Sequence, residues 1–599
     1  MLNRRAALGL IATLPTLTAA PALALTASAS ARLADLLARA AAADAALSPT
    51  GPPGRRRPAG EPVFIDPLSD GWAAATLANK RQAAAELAGI DRAALTPAER
   101  IAHDVFARSL KQAIDFHDSG LFAIQRQLAL NPSFGLHVEL PDFVAGPGAL
   151  FETEADCAAG LERLRLFAGH MDMTITRLKE GLAAGRVQPR VLVENVLKQV
   201  DAMLALPPAQ TPFMAAITRL PPALAAEQQR WQAAYLAMVT GTVLPAYARW
   251  RVFLAGTYLP RAPVGPGRSA TKDGDRLYAF ELERHTTIPM AAQAIHDLGL
   301  SEVARIRAEF EAVRVQLGWQ GDLKSLFEHV RTDPKFYCKS EAELIGRFAE
   351  IEGRIWQGIP RLFHRRPSAP FKVAPLPALG GQRGTGYYRA GPPDGVSPGI
   401  LFFNMAMLDT RPIPTLETLT LHEGIPGHHF QITLVNEDKA LPEVLKRGGS
   451  TAYAEGWGLY AESLGRELGM FQDPWQWFGH LDMEMLRAVR LVVDTGIHAL
   501  GWSRDRAIAY MLDNTSMAPR DVAVEIDRYI AQPGQACAYK IGELSFARLR
   551  REAQAALGSR FDVRDFHDVC LDTGALPLAV LDAKVKDWIA SGGGRVRQS

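Results

Sequence analysis

Thiols are scarce in this chain. There are four cysteines in 599 residues, Cys157, Cys338, Cys537 and Cys570. No two form a C-x-x-C pair, which argues against a structural zinc site made of thiolates. Their spacing selects no disulfide, and buried free thiols are the expected state. An excess of charge is missing too. Lys and Arg number 66, Asp and Glu 64, and Arg4 and Arg5 at the extreme N-terminus account for two of the positive charges. A near-neutral body gives no electrostatic case for binding nucleic acid. The Arg55-Arg56-Arg57 run lies among Pro and Gly and reads as a solvated tail. Beyond the first residues no apolar run is long enough to cross a bilayer, so a mature protein without a membrane span is expected. Nothing indicates an oligomeric state.

What is present is ordinary globular material, 48% hydrophobic and 22% charged. The length suggests two packed lobes. Residues 1–29 read as an export signal. Asn3-Arg4-Arg5 is followed by an apolar stretch, Ala6 to Ala22, and by cleavage candidates at Ala22-Leu23-Ala24 and Ala27-Ser28-Ala29. The twin arginine resembles signals of the bacterial route that exports folded proteins, so a periplasmic or secreted location is expected. No cysteine stands nearby for a lipid anchor. Residues 30–62 read as a flexible Ala/Pro/Gly-rich segment. Residues 63–370 read as an N-terminal helical lobe, and 371–599 as a small sheet plus a helical catalytic lobe.

Apolar residues recur at three- and four-residue intervals over most of the chain, for example from Cys157 to Ala184 and from Ala223 to Leu254. Ser340 and Glu343 have capping-box spacing at the start of another such run. One stretch differs. Phe371 to Pro375, Gly386 to Arg389 and Ile400 to Asn404 are short, aromatic or β-branched, and separated by Gly and Pro. They read as strands, with Gly391 to Gly399 as a hairpin loop. The fold class is therefore mainly α, a large multi-helical architecture with a small sheet beside the chemistry. An edge strand at Ile400 to Asn404 would offer main-chain hydrogen bonds to an extended peptide.

The chemistry concentrates in Thr420-Leu421-His422-Glu423-Gly424-Ile425-Pro426-Gly427-His428-His429. Zinc takes imidazole and carboxylate ligands, and a catalytic site leaves one position open. The usual helical arrangement spaces two His residues four apart, with a Glu beside the first as general base. Here the spacing is six, which on an unbroken helix puts the two on nearly opposite sides. Pro426 cannot donate to the carbonyl of His422 and its ring clashes there, so the helix must bulge or kink. Gly427 allows the chain to turn. His428 can then return to the face of His422, with His429 as the competing ligand. Glu455, on a predicted helix from Thr451 to Glu462, is the candidate third ligand, and Glu462 is placed to orient a ligand.

These residues look like a known family. His422-Glu423, Pro426-Gly427-His428-His429, Glu455-Gly456-Trp457 and Tyr460-Ala461-Glu462 resemble the domain of unknown function 885 family. Further likenesses are His285-Thr286-Thr287, Tyr387-Tyr388, Asp494 to His498, Arg528-Tyr529, Pro533 to Ala536, Tyr539, and Phe561 to His567. The likeness runs from about Gly60 to the C-terminus. A pair of tyrosines often precedes the His-Thr-Thr motif in that family; here it reads Tyr278-Ala279. The resemblance implies a mostly helical, metallopeptidase-like protein. It further implies one zinc ion on His422, His428 and Glu455, with Glu423 as general base.

On that reading the substrate is an oligopeptide. His498, Tyr529 and Tyr539 are candidate donors to the oxyanion, and Asp494 is placed to fix the His498 tautomer. Tyr387, Tyr388, Asn404, Arg487 and Arg490 are candidate substrate contacts. Two rivals remain, a peptide-binding helical scaffold without catalysis and a zinc hydrolase of a non-peptide amide or ester. Serine hydrolysis is poorly supported. The one G-x-S-x-G match, Gly395 to Gly399, precedes a strand, whereas a nucleophile elbow follows one.

Overall fold

The computed structural model describes residues 28–50, 60–145, 151–218, 220–376, 386–447 and 449–595. The export signal therefore lies, up to residue 27, outside the described residues, as does the Arg55-Arg56-Arg57 run. Among the described residues no helix is long and apolar enough to cross a membrane.

The chain divides into two compact units, residues 1–188 with 192–262, and 189–191 with 263–599. The expected boundary near residue 370 falls inside the second unit. The cause is packing that sequence order hides, since a helix at Ala292–Gln316 lies along one at Pro474–His498.

The first unit begins with α1 (Ala29–Ala46), then α2 (Asp70–Ala88), α3 (Pro97–Asp118), α4 (Glu154–Ala184) and α5 (Leu244–Phe253). Residues 29–46 are thus not the flexible segment expected. Ser28 caps α1, and Leu33, Leu36 and Ala40 are buried at helical spacing. Alanine favours the helix, and its leucine stripe gives it a face to bury. Capping boxes start α3 at Thr96/Glu99 and α4 at Thr153/Asp156. Leu164, Phe167, Met171 and Leu178 of α4 form one buried face, with Tyr247 and Trp250 of α5 in the same core. Burying each such side chain contributes on the order of 1.5–3 kcal/mol.

The second unit carries the chemistry. Its helices include α6 (Gly274–Thr286), α7 (Ala292–Gln316), α8 (Glu341–Leu362), α9 (Leu416–Glu423), α10 (His428–Glu437), α11 (Thr451–Ser463), α12 (Pro474–His498), α13 (Pro519–Ala531), α14 (Ala538–Leu557) and α15 (Val563–Leu571). Ser340 caps α8, but Glu343 reaches the Lys339 N–H instead of closing the box on Ser340. Nearly every residue of α12 from Phe478 on is buried. Its polar side chains must therefore find partners inside the protein.

The sheet has three strands, β1 (Phe371–Pro375), β2 (Gly386–Arg389) and β3 (Gly399–Phe403), in the order β1-β3-β2. β2 and β3 form the expected hairpin, while β1 runs parallel to β3. β3 is consequently the central strand, paired on both sides. The edge expected at residues 400–404 does not exist, and a peptide cannot add to it.

Candidate metal centre

The predicted kink is a complete break. α9 stops at Glu423, the Ile425–Pro426 peptide is cis, and α10 starts at His428. Gly427 makes the turn possible. A Cβ there would lie 1.9 Å from the carbonyl oxygen of His422. The break points His422 and His428 at one place, with their ring centroids 4.7 Å apart. Across from them α11 supplies Glu455. Its Oε2 lies 3.2 Å from Nε2 of His428 and 3.6 Å from Nε2 of His422.

Those spacings identify what the three groups can hold. Ligand atoms on a tetrahedral zinc at roughly 2.0–2.1 Å stand about 3.4 Å apart. The donor set of two imidazoles and one carboxylate suits zinc and leaves a fourth position open. Gly458 keeps the space clear, since a Cβ there would sit 2.7 Å from Cε1 of His422. A second potential metal group is His364, Asp562 and Asp565. There Asp562 is already gripped by the Arg564 guanidinium and caps α15.

Supporting groups surround the three. Nδ1 of His422 is 2.8 Å from Oε1 of Glu462, within hydrogen-bonding distance but off the favoured axis. Arg487 sits on the same oxygen at 3.2 Å. A buried carboxylate behind a ligating imidazole fixes its orientation and basicity. Burial works against a charged His422, yet the neighbouring carboxylates of Glu455 and Glu462 override it and push its pKa up to about 9. Burial also opposes ionised Glu455, but the two imidazoles hold its carboxyl well below the usual range. Glu423 is half-buried at the end of α9, next in the chain to His422.

His429 is not a ligand here. Its Nε2 donates to the Ala369 carbonyl at 3.0 Å, and Tyr388 Oη donates to its Nδ1 at 2.9 Å. Both nitrogens are spent on docking the sheet, and the Phe371 ring lies 5.4 Å away. Burial pushes its pKa down to about 4.

Several expected contacts are placed elsewhere. His498 is fully enclosed, with the Arg268 N–H donating to Nδ1 and Nε2 donating to the Tyr529 carbonyl. It has no proton to offer a substrate, and burial pulls its pKa down to about 3. Asp494 does not orient it. That carboxyl accepts from Tyr278 Oη at 2.6 Å and from the Gly534 N–H. Arg487 holds Glu462 and donates to the Met483 carbonyl, so it is a support rather than a substrate contact. The Tyr529 hydroxyl donates to Glu525 and accepts from Arg490, which leaves it nothing for an oxyanion. Tyr388 serves His429, Tyr387 is exposed on the edge strand β2, and Asn404 is buried just past β3.

Two expected residues stay near the centre. Tyr539 of α14 is partly exposed, and burial first, then the charge of Glu455, pushes its hydroxyl pKa up. Its ring lies 4.3 Å from the Arg490 guanidinium. Glu525 and Arg528, not assigned a role from the sequence, complete this neighbourhood. Both arginines bond Oε2 of Glu525, at 3.0 and 2.9 Å. The missed signal was charge recurring along helices otherwise built for a core.

These features define a mainly helical protein with a partly buried two-histidine, one-glutamate cluster at a helix break. The chain belongs to a named family: the model described as "Bacterial protein of unknown function (DUF885)" matches residues 63–585. A proposed lipoprotein from Colwellia psychrerythraea has a similar crystal structure, with TM-score 0.79 and 28% identity over 94% of this chain and 100% of that one. A proposed lipoprotein of unknown function from Shewanella oneidensis shares the fold at TM-score 0.68 and 16% identity, over 92% and 99% of the two chains. No curated protein matches.

Proposed function

We propose that this protein is an exported zinc peptidase that hydrolyses peptide bonds in oligopeptides. The observation that carries the reading is the convergence of His422, His428 and Glu455, at ligand spacings that suit one tetrahedral ion. Zinc, when bound, supplies a Lewis acid that polarises a carbonyl and makes water a nucleophile near neutral pH. Glu423, beside His422, takes a proton from the attacking water. As the C–O bond forms and the C–N bond breaks, it delivers that proton to the leaving amine. Tyr539 donates to the oxygen on which negative charge builds. Glu462 and Arg487 keep the His422 imidazole aimed. The twin-arginine leader and the description of the Colwellia relative support export.

The test is metal analysis of the purified protein followed by mass spectrometry of a digested peptide library. One zinc per chain and cleaved peptides are expected. Glu423→Gln should keep its zinc and lose turnover by roughly a thousandfold or more, in line with loss of a proton-transfer group. Zinc binding with hydrolysis of esters or non-peptide amides alone would replace the substrate class. Zinc binding with no turnover of any kind would favour the binding scaffold.

A further inference from the structure

The neighbourhood of Arg490 carries one buried charge too many. Arg490 of α12 and Arg528 of α13 share a single ionised partner, Glu525. Arg490 donates from Nε to Tyr529 Oη at 2.8 Å and from Nη2 to Glu525, while its Nη1 is buried and has no hydrogen-bond partner. Arg528 reaches Glu525 and Gln535, and a quarter of its side chain is exposed. The nearest further carboxyls are committed elsewhere. Asp494 is held by Tyr278 and Gly534, with burial pushing its pKa up to about 7, and Glu455 faces the two histidines. An enclosed guanidinium with an unused N–H and only a shared anion is incompletely compensated. A ligand anion would complete that compensation.

Resting on the peptidase reading, we propose that Arg490 and Arg528 form a carboxylate-recognition pair that takes the C-terminal carboxylate of a peptide, so that cleavage falls at the carboxyl end. Tyr539 links the two sites. Its ring lies 4.3 Å from the Arg490 guanidinium, and its helix α14 packs along α11, which carries Glu455. The length of one tyrosine side chain matches the reach of one or two extended residues, at roughly 3.4 Å each. The carboxylate therefore lies one or two residues beyond the scissile bond. Arg528 meets the anion from the exposed side, and Nη1 of Arg490 engages it from within.

The test uses the full-length zinc-loaded protein and three N-acetylated alanine-rich pentapeptides. One has a free C-terminal acid, one is its amide, and one is the amide with a glutamate near its end. Calorimetry on Glu423→Gln reads binding, and mass spectrometry on the unsubstituted protein reads the products. The acid should bind about 10- to 100-fold more tightly than the amide, as for charge-assisted hydrogen bonds. Its products should be the C-terminal residue or dipeptide. Arg490→Gln and Arg528→Gln should each erase most of that preference, and Arg490→Lys should restore part of it. Equal binding of acid and amide overturns the proposal without any substitution in the arginine pair. A glutamate-bearing amide that binds as well as the acid overturns the terminal assignment. Turnover without a preference leaves the peptidase and removes the carboxylate pair. A preference without turnover does the reverse.

Discussion

Tyr539 and Lys540 are neighbours on α14, yet they border two buried charge clusters with different balances. Around Lys540, which is fully buried, stand Glu302, Glu484 and Glu543, with Arg305 as a second cation. Burial pushes Glu543 up towards its neutral form, while Lys540 and its neighbours hold Glu484 down against burial. Two cations there face three carboxylates: Lys540 reaches all of them, and Arg305 reaches Glu302 and Glu484. Around Tyr539, Arg490 and Arg528 face Glu525 alone. Both clusters draw on α12, a helix with almost no solvent to screen them. The difference separates charge placed for the fold from charge held ready for something else. A closed network is finished when the chain folds, whereas an open one needs a ligand.

The largest effect should come from opening the closed cluster. Lys540→Met leaves carboxylates buried without their central cation, and should lower stability by about 3–5 kcal/mol. Chemical denaturation of the variant beside the parent reads this, and a loss under about 1 kcal/mol would mean the network carries no load. Asp494 sharpens the contrast from the other side, as a buried carboxyl with hydrogen bonds but no ion pair. Its pKa in the fold, about 7, lies above its ordinary value of 3.8 because burial disfavours the charged form. The folded state therefore keeps this proton longer than the unfolded chain. Stability from this group is full below about pH 4, falls as pH rises to about 7, and is constant above. The span is up to roughly 4 kcal/mol. Subtracting the pH–stability curve of Asp494→Asn should isolate that slope, and parallel curves for parent and variant would contradict it.

Much of the centre was readable from the chain because it depends on residue types packed close together. Pro426 forces a break between His422 and Glu423 on one side and His428 on the other, and Glu455 and Glu462 are the two acids on an otherwise largely apolar helix. The choice between His428 and His429 needed the turn itself and the sheet that claims His429. His498, Arg487 and Tyr529 were misplaced for a shared reason. Periodicity shows that a polar side chain faces inward, but only packing shows which neighbour uses it. The same limit hid Glu525 and Lys540. Residues 30–46, part of the segment 30–62, read as flexible because the adjoining Pro/Gly-rich stretch dominated the composition, although Leu33 and Leu36 already marked a buried face. Strand order is non-local, so nothing in Ile400 to Phe403 could show that β3 lies between its partners.

Two smaller effects concern the metal centre and the open cluster. Glu462 is a buried carboxylate whose charge is already balanced by Arg487 and His422, so Glu462→Gln should fold but loosen the imidazole. Zinc affinity should fall about 10- to 100-fold, as for other groups behind a metal ligand. Competition with a chelating dye reads this, and unchanged affinity would mean Glu462 only balances Arg487. The smallest change in stability should come from Arg528→Gln. Glu525 keeps Arg490 and Tyr529, and a partly exposed cation leaves a cluster that had one to spare. The loss should stay within about 1 kcal/mol, as for other surface-facing ion pairs, while the preference for a free carboxylate disappears. If Arg528→Gln instead destabilises the fold as much as Lys540→Met, the two clusters are alike. The spare charge would then be structural, and the case for a waiting anion site would end there.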